Sequence, residues 1–299
     1  MNQTRTGAAA AAFLCVLAAV ASPRSALFEA PTASLDGVKI LSTTPYVARK
    51  DDFLAGRGAG EFTRVDCLGR FRGGGETSTL VKVGAGLMAA HGAMHFISPV
   101  QGFKFYGVTD ADALSLATLR NAGAWELGLA ALFIMDPATV VARSNFVAGL
   151  SLLSYGPAYA EISGSPKEKY VFWIGVCAVL GLLAESGNVS PWVAPTLYGL
   201  NGLACYAFPQ NQAKIYGLPE LSPMQEGEFR LIGSALFESS AYLYALAAGK
   251  SQATAFAAAW TVVGLHCARV LVAEPVRHAN LPIVGWIVTS VALVYAGLR

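Results

Sequence analysis

Long apolar runs separated by short polar breaks are the feature that most limits the folds open to this chain. From Leu80 onward the runs are long enough to cross a membrane, and prolines, glycines and charges coincide in the breaks. Only 13% of the residues are charged while 54% are hydrophobic, too few charges for the surface of a soluble domain of this length. The spacing predicts an all-α membrane protein with about eight transmembrane helices, at residues 79–97, 115–135, 138–156, 169–185, 192–208, 228–248, 252–272 and 281–298.

An internal repeat divides this helical part into two copies of one unit. Shifting the chain by 110 residues, without a gap, aligns identical residues in the pairs Gly92/Gly202, Pro99/Pro209, Lys104/Lys214, Tyr106/Tyr216, Gly107/Gly217, Arg120/Arg230 and Gly123/Gly233. We therefore predict two tandem four-helix repeats, at residues 79–188 and 189–299. Because four is an even number, both copies are expected to insert with the same orientation, related by an axis along the membrane normal.

The N-terminal residues have the pattern of targeting segments. An apolar, alanine-rich run at residues 7–21 follows one arginine and ends in small side chains, which predicts a signal peptide at residues 1–27. The stretch at 25–31, Ser-Ala-Leu-Phe-Glu-Ala-Pro, resembles the signal/transit junction of plastid proteins in algae with secondary red plastids. We predict a transit-like, largely disordered segment at 28–78 and a plastid membrane location, with an endomembrane or plasma membrane as the alternative.

The repeat unit resembles the DoxX-like superfamily of small four-helix membrane proteins. The residues that carry the resemblance are, in order, a glycine, a helix-ending proline, a turn glycine and a glycine–glutamate pair. They are Gly92, Pro99, Gly107, Gly123 and Glu126 in the first copy, and Gly202, Pro209, Gly217, Gly233 and Glu238 in the second. The resemblance implies a four-helix architecture for each repeat. It also implies an association with quinone-linked redox chemistry or with membrane assembly.

The second predicted helix of each repeat contains one glutamate and one arginine considered as candidate site residues. Glu126 and Glu238 lie deep in apolar runs, where an ionised group costs at least ~2.5 kcal/mol unless it faces the bundle interior, pairs, or lines a pathway. We expect both in a central polar seam, either as functional groups or as structural ion pairs. Arg120 and Arg230 stand near the helix starts and are expected to reach a headgroup layer.

His91 and His95 are four residues apart on the first helix, so their side chains share one face. Such a pair can bind a metal ion or supply an axial ligand to haem or chlorophyll. Packing with hydrogen bonds is the alternative interpretation.

A cation and a tyrosine precede the turn glycine in each copy, as Lys104 with Tyr106 and Lys214 with Tyr216. Interfacial anchoring explains this composition, and binding of an anionic headgroup, a quinone or a carboxylate is the alternative.

These features predict a multi-pass membrane protein with a non-enzymatic role in transport or membrane assembly. The alternatives are a quinone-linked or metal-dependent membrane redox enzyme and a pigment-associated accessory protein. Membrane lipid and a small hydrophobic or anionic ligand are the expected partners, and the identity of any cofactor stays open. Nucleic acid is not expected, since no basic stripe with interleaved aromatic residues occurs.

Overall fold

The computed structural model describes residues 78–274 and 279–299, and all regular structure in these ranges is helical. The signal peptide predicted at 1–27 and the transit-like segment, apart from Ser78, lie outside the described residues. The prediction of an all-helical chain is confirmed for the part that the structure describes.

The helices of the described ranges follow one order twice. The first five are α1 (Thr79–Ile97), α2 (Pro99–Phe105), α3 (Ala113–Ile134), α4 (Val140–Ser163) and α5 (Lys167–Glu185). The second five are α6 (Val193–Ala207), α7 (Pro209–Tyr216), α8 (Pro223–Ala247), α9 (Gln252–Ala273) and α10 (Asn280–Leu298). Under the shift of 110 residues the ends of α1 and α6 coincide, as do the starts of α2 and α7 and of α3 and α8. Each half contains four long helices and one short one.

The fourth helix, α4, is longer than the sequence predicts. It continues through Pro157 to Ser163, although proline has no amide hydrogen to donate to the preceding turn. The helix ends where Gly164 adopts a φ of 73°, a left-handed conformation that suits glycine. The helix predicted to end at residue 156 therefore continues for about two further turns.

The segments between the first and second predicted spans of each repeat contain the short helices α2 and α7. Both begin at a proline, whose fixed φ suits the first turn of a helix. Gly107 and Gly217 follow them, each with a φ of 76°, so the same turn redirects the chain in both halves.

The helices α3 and α8 pack against each other at the centre of the bundle. Around them, α1 packs on α3 and α4 on α5 in the first half, and the equivalent helices make the equivalent contacts in the second half. Of the 22 residues of α3, 16 are buried, which places this helix at the centre of the protein.

The starts of the two central helices are joined by a hydrogen bond. Asp112 caps α3 by accepting from the Ser115 amide at 2.6 Å, and the Gln225 side chain donates to Asp112 Oδ2 at 3.1 Å. Burial raises the pKa of Asp112, but the hydrogen bonds from Ser115 and Gln225 outweigh it and hold that pKa below its usual value. Both helices therefore begin at the same end of the bundle.

Glycines allow α1 and α3 to touch backbone to backbone. A Cβ atom added at Gly123 would lie 2.6 Å from the Phe96 amide nitrogen and 2.7 Å from the Gly92 carbonyl oxygen. The second half repeats the contact, since a Cβ at Gly233 would lie 2.9 Å from the Gly202 carbonyl oxygen. Small residues at helix crossings are how helices in lipid gain close packing.

Three helices of the described ranges, α1, α9 and α10, are long and apolar enough to cross a membrane by length and composition. Large apolar side chains are exposed along the outer helices, among them Phe172 on α5, Leu200 on α6 and Val291 on α10. Exposed apolar surface of this extent is compatible with a membrane protein.

The glycine contact gives a testable prediction. We expect Gly123→Ala to lower the free energy of unfolding by about 1–3 kcal/mol, because the new methyl group meets backbone atoms that cannot rotate away. Gly86→Ala is the matched control, since its Cβ would meet nothing within 4 Å. Thermal unfolding in detergent measures both. Equal stability of the two variants would contradict the close approach of α1 and α3.

Candidate functional site

The helix α1 carries His91 and His95 on the face that it turns towards α3. Their imidazole rings lie with centroids 4.1 Å apart in an edge-to-face arrangement. His95 is completely buried, and the side chain of His91 is 11% exposed. The sequence spacing predicted a shared face, and the structure brings both rings to one place.

The carboxylate of Glu126, on α3, lies between the two histidines. Its Oε1 is 3.1 Å from His91 Nδ1 and its Oε2 is 2.9 Å from His95 Nδ1. With Nδ1 protonated on both rings, each histidine donates a hydrogen bond to one oxygen of the same carboxylate. Glu126 is only 3% exposed, so these contacts replace the water that a carboxylate otherwise needs.

The glycine contact explains why the carboxylate reaches both rings. A Cβ added at Gly92 would lie 2.9 Å from the Glu126 Cβ, so any larger residue would push α3 away. Gly92 stands between the two histidines in sequence, and Glu126 follows Gly123 by three residues. The small residues of the repeat pattern therefore position the ionisable ones.

Tyr106, which follows α2, extends the cluster. Its hydroxyl is 2.6 Å from His91 Nε2 and donates to that nitrogen when Nδ1 carries the ring proton. The Tyr106 carbonyl accepts a hydrogen bond from the Ala279 amide, so the residue is also fixed to the segment before α10. A continuous chain of contacts thus runs from Tyr106 through His91 and Glu126 to His95.

The second half contributes Glu238 and His266 to the same site. Glu238 is 4% exposed and accepts a hydrogen bond from Ser234 Oγ at 2.7 Å. Both residues line a cavity of about 50 Å³ together with His91, His95 and Glu126. Apolar residues complete its wall, among them Met88, Val263, Val270, Ile283 and Trp286.

The position of Glu238 explains how two acidic residues from different halves meet. Under the 110-residue shift the equivalent of Glu126 is Leu236, and Glu238 lies two residues further on. Two residues turn a side chain by roughly 200° around a helix. Leu236 therefore faces the opposite side of α8, and Glu238 faces the cavity that holds Glu126.

The remaining predicted residues lie outside this cavity. Lys104 and Lys214 are exposed, while Arg230 forms an ion pair with Glu226 at 2.7 Å on the same helix. Arg120, the equivalent of Arg230, lies near Tyr155. Tyr216 lines a second, larger cavity.

The sequence did not predict the part that His266 plays. It lies on α9 and lines the cavity, whereas Arg269, one turn further along, pairs with Glu274 at 2.6 Å. The repeat gives no signal for His266, because the equivalent position in the first half is Gly156.

The donor set suits a metal ion. One ligand atom from each of His91, His95 and Glu126 can be chosen so that all lie within 4.8 Å of one another. Two imidazoles and one carboxylate are the ligands that zinc and other divalent first-row transition metals take in proteins. Glu238 and His266 offer further donors around the same cavity.

No family model, no curated protein and no solved structure matches this chain in the three comparisons made.

The Tyr106 contact gives a second prediction. We expect Tyr106→Phe to lower the free energy of unfolding by about 1 kcal/mol, because it removes one hydrogen bond and leaves His91 Nε2 without its hydroxyl donor. Tyr216→Phe is the control at the equivalent position, where Asn201 replaces the histidine. Thermal unfolding of both variants in detergent tests the difference. A Tyr106→Phe protein as stable as the wild type would contradict the hydrogen bond.

Proposed function

We propose that this chain is a multi-pass membrane protein that binds one divalent transition-metal ion between its two halves and transports it. The observation that carries the proposal is the Glu126 carboxylate bridging His91 and His95 in a buried cavity to which Glu238 also contributes. The finer architecture belongs to the same proposal: eight spanning helices, in two DoxX-like repeats.

The polarity of the cavity supports a cationic substrate. Two carboxylates and three imidazoles of the described residues converge there, and no lysine or arginine within residues 78–274 and 279–299 lines it. Burying such groups in a membrane protein is costly, and intramembrane ionisable residues therefore mark ion pathways and substrate sites. In transporters built from repeats, the ion and substrate sites lie at the interface of the repeats, which is where this cavity lies.

The size of the cavity supports a single ion over a larger cofactor. A volume of about 50 Å³ holds an ion with a water molecule or two, since one water needs roughly 10–15 Å³ on this measure. Ligand pockets for organic molecules span roughly 300–1,000 Å³. Haem, chlorophyll and a quinone ring are too large for this cavity as it stands.

The hydrogen bonds of the cluster are compatible with replacement by a metal ion. In the hydrogen-bonded arrangement His91 and His95 each hold a proton at Nδ1, the atom that faces Glu126. A metal ion bound at Nδ1 of a neutral ring requires that proton to move to Nε2 of the same ring, so binding changes the tautomer and needs no net release of protons. In the new tautomer His91 Nε2 donates to the Tyr106 hydroxyl, which lies 2.6 Å away.

The plastid location is part of the proposal, and it rests on the targeting pattern of residues 1–78. The lipid-exposed apolar helices support a membrane location in general.

Metal binding tests the site. We expect the full-length protein in lipid nanodiscs to bind one Zn²⁺ per chain, and His95→Ala or Glu126→Gln to weaken binding at least ~10-fold, because each loses a ligand. Asn201→Ala and Cys205→Ala, the equivalent positions of the second half, are the controls and keep the wild-type affinity. Isothermal titration measures affinity and stoichiometry. Equal Zn²⁺ binding by Glu126→Gln and wild type would sink the proposed site.

Ion flux tests transport separately from binding. We expect liposomes that contain the wild-type protein to take up Zn²⁺ or Mn²⁺, measured with a fluorescent indicator inside them. With Glu126→Gln we expect the rate of uptake to equal that of protein-free liposomes. Cys205→Ala is the control and retains the flux. A wild-type protein that binds Zn²⁺ but carries none would refute transport, and the absorbance spectrum with bound Fe²⁺ or Mn²⁺ would then examine the metal-dependent redox alternative.

A further inference from the structure

We infer that a second cavity, between α5 and α6, binds an apolar ring compound that carries a carbonyl oxygen. This inference is independent of the proposed metal site, because it concerns a different cavity with different residues. The cavity has a volume of about 310 Å³ and is walled by residues of α3, α4, α5, α6 and α8.

The two cavities occupy equivalent places at the two interfaces between the halves. The 110-residue shift relates nine residues of the first cavity to residues of the second. The pairs are Met88/Tyr198, His91/Asn201, His95/Cys205, Tyr106/Tyr216, Glu126/Leu236, Leu231/Asn121, Ala235/Trp125, Ile283/Trp173 and Trp286/Val176. A wall that recurs at equivalent positions is a built feature of the fold rather than an accidental packing gap.

The chemistry of the second cavity is different, because the ionisable residues of the first are replaced. Asn201 stands for His91, Cys205 for His95 and Leu236 for Glu126. In the part of the chain that the structure describes, no aspartate, glutamate, lysine, arginine or histidine lines this cavity. An ion has no counter-charge there, whereas an uncharged apolar molecule meets a matching surface.

The shape and lining favour a flat ring. Trp125 and Trp173 line the cavity, and Tyr170 and Tyr216 stack with ring centroids 5.6 Å apart. Aromatic side chains form favourable stacked or edge-to-face contacts with aromatic ligands. A 150 Å³ apolar cavity accepts one benzene ring, so about 310 Å³ accommodates two fused or linked rings.

One buried polar atom specifies the hydrogen-bonding group of the ligand. Asn145, on α4, lines the cavity and is 3% exposed, and its Nδ2 has no hydrogen-bond partner among the described residues. An unsatisfied buried amide donor costs roughly 1–3 kcal/mol, so a ligand that accepts from it gains that contact. Two other polar groups of the lining are already bonded: the Tyr198 hydroxyl donates to the Ser144 carbonyl at 2.8 Å, and the Tyr159 hydroxyl lies 3.2 Å from Thr118 Oγ1. The free donor matches a carbonyl oxygen.

The cavity has a route to the lipid. Beside the first cavity, α10 of the second half packs against α1 of the first half, whereas no comparable packing joins the equivalent helices α5 and α6, both of which are wholly described. Trp173 on α5 and Leu200 on α6 line the cavity and are 41% and 60% exposed. An apolar compound dissolved in the membrane can therefore enter sideways between these two helices.

Photolabelling tests the inference on the full-length protein in lipid nanodiscs. The probe is benzophenone, a two-ring ketone that inserts into neighbouring C–H bonds on irradiation, and mass spectrometry of peptides locates the insertion. We expect saturable labelling of α4, α5 and α6. Fluorenone should compete at roughly 3–10-fold lower concentration than fluorene, because the two share one skeleton and only fluorenone has the carbonyl acceptor.

Two variants identify the residues responsible. Asn145→Leu should remove the advantage of fluorenone over fluorene, and Ala148→Leu, which fills the cavity, should abolish saturable labelling. Asn188→Leu is the matched control in the exposed turn after α5 and should label as the wild type does. Unsaturable labelling spread over all lipid-facing helices, or equal competition by fluorenone and fluorene on the wild-type protein, would overturn the inference whether or not the variants fold.

Discussion

The backbone contact between α1 and α3 is the constraint on which the polar site depends. A carboxylate in an apolar bundle requires donors within hydrogen-bonding distance, and Glu126 reaches His91 and His95 only because Gly92 and Gly123 let the helices touch. The contact also fixes which face of α1 is inside. The same glycines recur in the second half, where no ionisable pair uses them, so close packing is the common property of both halves and the polar cluster is an addition to one of them.

The central helices α3 and α8 both contribute side chains to the two cavities, and these side chains make the two linings chemically different. Each faces both cavities, so a displacement of one or two positions along the sequence moves a side chain from one cavity to the other. Glu238 shows this directly, since its offset from Leu236 gathers both acidic residues on one side. Among the described residues, the ionisable side chains are thereby gathered in the small cavity, and the large cavity has an uncharged lining.

Much of this arrangement could be predicted from the sequence, and the rest depends on contacts that a repeat cannot reveal. The 110-residue shift predicts the recurring proline and glycine breaks, and the four-residue spacing predicts that His91 and His95 share a face. Local patterns could not show that α4 passes through Pro157, because packing around it decides that. They also could not show that Asn145 is buried without a partner, since this depends on helices distant in sequence. The eight membrane spans and the DoxX-like resemblance stay predictions.

The shared walls of the cavities have a consequence for how such a chain could arise. Each cavity is lined by the first three helices of one half, or the residue that follows the second, and by the last three helices of the other half. A single repeat unit would therefore supply only half of the wall of a cavity. An ancestor of half the length would have to form a dimer to enclose a cavity. Such a symmetric pair would have two identical chambers. Once the two copies are joined in one chain, the two cavities no longer need to be identical, because a mutation in one copy changes one cavity without the same change in the other.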